Sequence, residues 1–374
     1  MKKTLFLVFD GLGDEPIPEF NNQTPLEHAN TPNLDLLAKN GVCGLLKPNF
    51  LGVMPTSEEG HYSLFGYDIL KYKIKRGFVT AISSNMDLRP GDIAFRGNFA
   101  IIDDNLNILD RRAGRIKDTQ DLIELLRSIK IDGVELFIES AGDYRLAIVF
   151  RGEGLSSDIS DGDPHYGGTI EVNALGESGE YTAKKVNEFL EKVKIVLKNQ
   201  KANYVLLRGA SEFVELPRFK AKSCCIAGKE LYKGIAKSIG MDVLNVSGAD
   251  GTFNTNIEGK IDKAIESLNN YDFAFVHLKA TDSLAEDGDY IRKKDFIERA
   301  DISIGKLIDK DFLIVVTSDH STCSIKKSHC SLPIPFLAYN SVLGVDSVSS
   351  FSEKECANGK IGEINQVKLT DILF

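Results

Sequence analysis

An apolar run from Leu5 to Phe9 stops at Asp10 and a glycine turn, Asp10-Gly11-Leu12-Gly13-Asp14. Far along the chain, Phe312 to Val316 stops at Ser318-Asp319-His320. Both runs read as buried strands of an α/β sheet. Ligands of such sheets gather beyond the carboxyl ends of the strands, so these two ends can converge on one cation. Ser57, in Pro55-Thr56-Ser57-Glu58-Glu59-Gly60-His61, follows a glycine-containing loop and introduces a helix. It reads as an N-cap, and that position also suits a nucleophile. Backbone N–H groups there welcome a phosphoryl group, and a metal lowers the pKa of a hydroxyl. The string Phe275 to Asp282 ends another buried strand in polar groups. Asp282 and Glu286 would share one face of a helical turn, and Lys279 could neutralise phosphate. His329 follows His320 by nine residues in a chain with 6 histidines. Taken singly, each has an ordinary alternative: a turn-forming aspartate, a capping serine, a loop histidine. Together they describe a metal site that handles phosphate.

The elements that must position these residues follow from periodicity. Thr31-Pro32 opens a helix with Leu34, Leu37 and Ala38 on its buried face, Gly41 ends it, and a strand follows around Cys43 to Leu46. From about residue 70 the character changes. Ile93 to Ile102 and Ile108 frame a strand pair with Asp103-Asp104-Asn105 at the turn. Asp118 to Ile129 is an amphipathic helix, Val134 to Ile138 and Arg145 to Phe150 are strands, and Thr182 to Leu197 is a helix. Strand–helix alternation resumes after Pro217, through Ser223–Ala227, Glu230–Ile239, Val243–Val246, Ile261–Leu268, Phe273–Leu278, Phe296–Ile308 and Phe312–Val316. The expected fold is α/β: a metal-binding domain of residues 1–70 and 216–374, interrupted by an inserted α+β domain of residues 71–215.

Bulk composition sets the class. With 374 residues, two domains are expected, and 43% hydrophobic with 26% charged residues is ordinary for a soluble globular chain. No apolar run reaches membrane-spanning length and no signal-peptide pattern follows Lys2-Lys3, so the reading is cytoplasmic with no membrane partner. A net charge of -9 argues against nucleic acid and requires a local island of Arg and Lys for any anionic substrate. Arg111, Arg112, Arg115, Arg208 and Lys279 are candidates, weighed against ordinary surface charge. The 6 cysteines lack zinc-type spacing and are expected as reduced thiols, mainly in the core.

At this point the chain resembles the archaeal-type cofactor-independent phosphoglycerate mutases of the alkaline phosphatase superfamily. The resemblance is carried by Phe9 to Asp14, Thr24 to Glu27, Asn30 to Asp35, Phe65 to Asp68, Phe95 to Ala100, Asp110 to Ile116, Arg151 to Leu155, Asp163 to His165, Leu207 to Ala210, Lys279 to Asp282 and Ser318 to His320. It implies an alkaline phosphatase-like metal domain and an inserted substrate-clamping domain. It also implies two divalent metal ions, no 2,3-bisphosphoglycerate, and a small phosphorylated hydroxy acid as substrate. Asp10, Ser57, Asp319 and His320 would hold one metal; Asp282, Glu286 and His329 the other. Phosphate would pass from the 3-hydroxyl of glycerate to Ser57 and back to the 2-hydroxyl. Lys279, Arg111, Arg112 and Arg115 would serve catalysis, and His61, Arg208 and His165 would bind substrate. The oligomeric state is left open.

Three strings depart from the family: Ser57-Glu58-Glu59-Gly60-His61, Arg76-Gly77-Phe78-Val79-Thr80-Ala81, and Leu284-Ala285-Glu286-Asp287, where a second-metal histidine is usual. With one imidazole fewer, the second site should favour Mn or Mg over Zn. The alternatives are a related phosphotransferase of the homoserine kinase-like branch and a metal-poor pseudoenzyme with a binding role.

Overall fold

The computed structural model describes residues 2–48, 56–164 and 170–373. Its strands are β1 (Thr4–Phe9), β2 (Gly41–Lys47), β3 (Ile93–Ile102), β4 (Ile108–Asp110), β5 (Glu135–Ser140), β6 (Arg145–Arg151), β7 (Tyr204–Glu212), β8 (Ser223–Ile226), β9 (Asp242–Val243), β10 (Phe273–Leu278), β11 (Leu313–Thr317), β12 (Ser321–Cys323), β13 (Ser328–Cys330), β14 (Ile334–Tyr339) and β15 (Gly362–Asn365). The chain divides into two compact units, Met1–Lys71 with Pro217–Phe374, and Tyr72–Leu216. The α/β class read from the sequence is borne out.

The first unit is built on a sheet in the order β15-β2-β14-β11-β1-β10-β8-β9. β1 lies between β10 and β11 and is parallel to both, with Phe9 opposite Leu278 and Val8 opposite Thr317. One register therefore delivers Asp10, Lys279 and the Ser318-Asp319-His320 string to the same edge. The strand is buried on both faces because its residues alternate between two cores. Leu5, Leu7 and Phe9 pack with Leu34, Leu37, Ile261, Phe296 and Ile304 from covering helices. Phe6 turns the other way, against Phe65 and Phe273. β14 runs antiparallel to β11 and to β2, so the sheet is mixed.

The cysteine reading needs correction. Cys323 and Cys330 form a disulfide, while Cys43, Cys224, Cys225 and Cys356 are buried free thiols. The cause is a short hairpin that the sequence did not announce. β12 pairs with β13, Thr322 opposite His329, so the two cysteines flank one cross-strand pair.

The second unit is an antiparallel sheet, β4-β3-β6-β5 with β7 also on β3. The helices Gln120–Arg127 and Glu180–Val196 contribute Leu122, Ile123, Leu126, Val186, Phe189 and Val193 to its core. The departing string Arg76 to Ala81 lies in a helix, Arg76–Ser83. Gly77 lets that helix close on the backbone of Ala94 and Gly209, where any Cβ would collide. Among the described residues, no helix is long and apolar enough to cross a membrane.

Candidate active site

Beyond β1 the chain turns back at Gly11, which takes a φ of 62°; a side chain there would strike Thr322 and Asp282. The turn approaches the site this closely only as glycine. Gly11 N donates to Asp319 Oδ1 (3.2 Å) and Leu12 N to Ser318 Oγ (2.9 Å), which ties the Asp10 turn to the end of β11.

Ser57 begins the helix Ser57–Leu64, but Thr56 is its cap. The Thr56 hydroxyl accepts from Glu59 N (3.4 Å), and the Glu59 carboxylate accepts from Thr56 N (2.9 Å). This corrects the expectation that Ser57 caps the helix. With the cap supplied by its neighbour, Ser57 Oγ is left for the site and lies 3.2 Å from His320 Nε2. Gly60 seats the helix against the Asp319 backbone, into which a Cβ would run.

His320 Nε2 also lies 3.5 Å from Asp10 Oδ1 and 3.3 Å from Asp319 Oδ2. Donors held about 2.1 Å from one cation stand roughly 3–3.5 Å apart, so these four atoms fit a single divalent ion. All four residues are buried, and Asp319 Oδ2 lacks a well-aligned hydrogen bond although His61 Nδ1 is 3.2 Å away. Thr322 Oγ1 donates to Asp282 Oδ1 (2.6 Å) and can therefore accept from His320 Nδ1 (3.1 Å). That bond fixes the tautomer and leaves the Nε2 lone pair facing the carboxylates.

The second group begins in the helix Ala280–Asp287 after β10, where Asp282 and Glu286 share a face. His329 Nε2 lies 3.4 Å from Asp282 Oδ1 and 4.0 Å from Glu286 Oε1, and its ring stacks on His320 at 3.8 Å. Asp282, His320 and His329 offer donor atoms all within 4.8 Å of one another, while the half-exposed Glu286 stands at the rim. These residues fit a second hard cation.

Lys279 Nζ bridges the two groups, donating to Asp10 Oδ1 (3.0 Å) and Asp282 Oδ2 (2.5 Å). Burial opposes charge on all three. The Lys279 ammonium and a bond from His277 nevertheless hold Asp10 well below its ordinary pKa. Lys279 likewise keeps Asp282 low, and the carboxylates keep Lys279 well above the usual lysine value. Glu286 is pushed up by burial and by the Asp282 charge. At neutral pH the centre holds two carboxylates about one ammonium.

A layer of aromatic side chains supports the ligands from below. His277 Nε2 donates to Asp10 Oδ2 (2.9 Å), and its ring stacks on Tyr232 at 3.6 Å. Burial pulls His277 down to about 4, so it is a neutral donor. Thr281 Oγ1 donates to Asp10 O (2.5 Å) and Gln366 Nε2 to Asp319 O (2.8 Å). His61 belongs to this layer, which corrects its expected contact with substrate. It is wholly enclosed, and its Nδ1 donates to Ser57 O (2.8 Å) beside Asp319. Burial would lower the His61 pKa; the Asp319 charge outweighs that and raises it.

Sequence reasoning missed His277, Tyr232, Thr281, Thr322 and Gln366. For His277 a signal existed, since a polar residue in a strand buried at every position needs a partner. The others carry no local mark.

In the second unit, Arg111 donates to Asp163 Oδ1 from Nε (3.0 Å) and Nη2 (2.5 Å), and Arg208 Nε lies 3.8 Å from Asp163 Oδ2. Burial, with the charges of Arg76 and Arg111, lowers the Arg208 pKa. The structure thus gathers Arg111 and Arg208 about the buried Asp163, with Arg76 close enough to Arg208 for their charges to oppose each other. Arg112 and Arg115 are exposed. His165 lies outside the described residues.

Comparison with known proteins follows the same lines. A family model described as the metalloenzyme superfamily matches residues 2–374. The chain is 41% identical to 2,3-bisphosphoglycerate-independent phosphoglycerate mutase 1 of Archaeoglobus fulgidus, over 98% of this chain and 96% of that one. It is also 41% identical to a probable 2,3-bisphosphoglycerate-independent phosphoglycerate mutase of Aquifex aeolicus, over 100% and 94%. Among solved structures, a Pyrococcus horikoshii protein matches with a TM-score of 0.86 at 30% identity, covering 100% of this chain and 96% of that one. The cofactor-independent phosphoglycerate mutase of Thermoplasma acidophilum matches with a TM-score of 0.74 at 33% identity, covering 100% and 99%.

Proposed function

The chain belongs to the 2,3-bisphosphoglycerate-independent phosphoglycerate mutase family within the metalloenzyme superfamily, and from that premise we propose that it interconverts 3-phosphoglycerate and 2-phosphoglycerate through a phosphorylated Ser57. The observation that carries the reading is the position of Ser57 Oγ at a helix start, 3.2 Å from His320 Nε2 beside Asp10 and Asp319.

Ser57 Oγ attacks phosphorus in line with the departing C3 oxygen, which leaves with a proton as 3-phosphoglycerate becomes glycerate. The C2 hydroxyl then gives up its proton, attacks the phosphoserine and restores Ser57. Asp10, Ser57, Asp319 and His320 would hold one divalent ion and Asp282, Glu286 and His329 the other; when bound, they neutralise the transferring phosphoryl group and lower the Ser57 pKa. A donor set rich in carboxylate suits Mn or Mg better than Zn. Lys279 supplies fixed positive charge beside the phosphoryl group. We assign the holding of the substrate's carboxylate and phosphate to the arginine group about Asp163, with Arg112 and Arg115 as further candidates. We assign this activity to the cytoplasm, beside the other glycolytic activities.

An assay coupling 2-phosphoglycerate formation to its dehydration, with added Mn and without 2,3-bisphosphoglycerate, tests the reading. Turnover is expected; none with any divalent metal would overturn it.

A further inference from the structure

The disulfide adjoins the second metal group. The two strands of the β12–β13 hairpin are held very differently. β12 is pinned to the Asp10–Asp14 turn: Thr322 N donates to Gly13 O (2.9 Å), and the buried Lys293 Nζ donates to Thr322 O (3.1 Å) and Asp14 Oδ2 (2.8 Å). Just beyond the strand, Ser324 N donates to Asp14 Oδ1 (2.8 Å). β13, which carries His329, is held by its pairing with β12, Ser321 opposite Cys330, Thr322 opposite His329 and Cys323 opposite Ser328, and by the stacking of His329 on His320. Two-stranded pairings this short are marginal in water. The Cys323–Cys330 bond straddles the Thr322–His329 pair, and both members of that pair reach Asp282.

We propose that the Cys323–Cys330 disulfide positions His329 for the second divalent cation, so that the oxidised chain binds that cation tightly and the reduced chain binds it weakly. The inference rests on the second-site reading given under the proposed function. The bond limits the excursions of β13 away from β12, so His329 is already in place when the ion arrives. The first site draws on β1, the end of β11 and the Ser57 helix; its tie to the hairpin, the Thr322 bond to His320, lies on β12, which Gly13 and Lys293 pin without the disulfide, so this site should be spared. Opening requires two electrons and two protons. A dithiol supplies both by thiolate attack on one sulfur and then closes its own ring, leaving Cys323 and Cys330 as thiols. Cys330 is 3% exposed and Cys323 0%, so reduction should be slow without local opening of the hairpin.

The test titrates Mn into metal-free protein in three forms: oxidised wild type, wild type reduced with dithiothreitol, and Cys330→Ser. The readouts are free-Mn electron paramagnetic resonance, bound Mn per chain and Tm. The oxidised protein should bind two Mn. In the other two forms the second Mn should bind at least tenfold more weakly with the first unchanged, and reoxidation should rescue the reduced wild type but not the variant. Equal affinity of both sites in all three forms would overturn the proposal, as would parallel weakening of both sites with a lowered Tm. Free thiols at both positions in the isolated protein would also overturn it. Failure of any form to bind Mn would instead sink the two-metal function itself.

Discussion

Lys279 carries two loads that mutation can separate. It compensates Asp10 and Asp282, and in the proposed reaction it supplies charge to the phosphoryl group. Lys279→Met should tighten divalent metal binding, because a competing cation is gone. It should also lower kcat by a factor on the order of 10²–10³, as removal of one transition-state charge partner does elsewhere. Calorimetric Mn titration beside steady-state kinetics checks both halves. Glu286 makes a different prediction. It stands 4.0 Å from His329 Nε2, at a position where the sequence resemblance leads one to expect a histidine. Glu286→Ala should drop bound metal from two ions to one and remove most activity, and Glu286→His should restore binding with a shift toward Zn. Elemental analysis after gel filtration decides it; two ions retained in the alanine variant would make Glu286 an exposed helix acid and nothing more.

At the scale of elements, the helix Ser57–Leu64 depends on its neighbour for a cap. Thr56→Ala should cost ~1 kcal/mol in urea denaturation and reduce kcat more than that loss alone would, because the first turn that aims Ser57 loosens. Thr56→Ser should keep both. The elements that place the site were legible where hydrophobic periodicity is strong. β1, β10 and β11 were read at nearly their observed bounds, and with them the shared edge that presents Asp10, Lys279 and Asp319. The β12–β13 hairpin was not legible, since three-residue strands are too short to show a period, and so neither was the disulfide. Strand direction is equally silent in a sequence, which hid the antiparallel β14. The layer under the ligands escaped because Tyr232 and Gln366 reach the site only through tertiary packing.

For the molecule as a whole, pH stability should bear the mark of Glu353. Its carboxylate accepts from Asp14 N (3.3 Å) and Thr24 Oγ1 (2.8 Å), and burial, with the Glu27 charge adding to it, raises its pKa from 4.5 to about 7. Between those two values the folded chain binds more protons than the unfolded chain. Stability from this group is therefore full at low pH, falls as pH rises through about 7, and stays low above it. Glu353→Gln should flatten that part of the Tm–pH curve and stabilise the protein at pH ~8 by up to ~3 kcal/mol. An unchanged slope would mean that Glu353 is not the group responsible. Mutase chemistry in this chain would rest finally on Ser57. Incubation with 3-phosphoglycerate and Mn, followed by acid quench and peptide mass spectrometry, should find phosphate on Ser57 in the wild type and none in a folded, inactive Ser57→Ala. Phosphate trapped on another residue, or mutase turnover by the alanine variant, would contradict it.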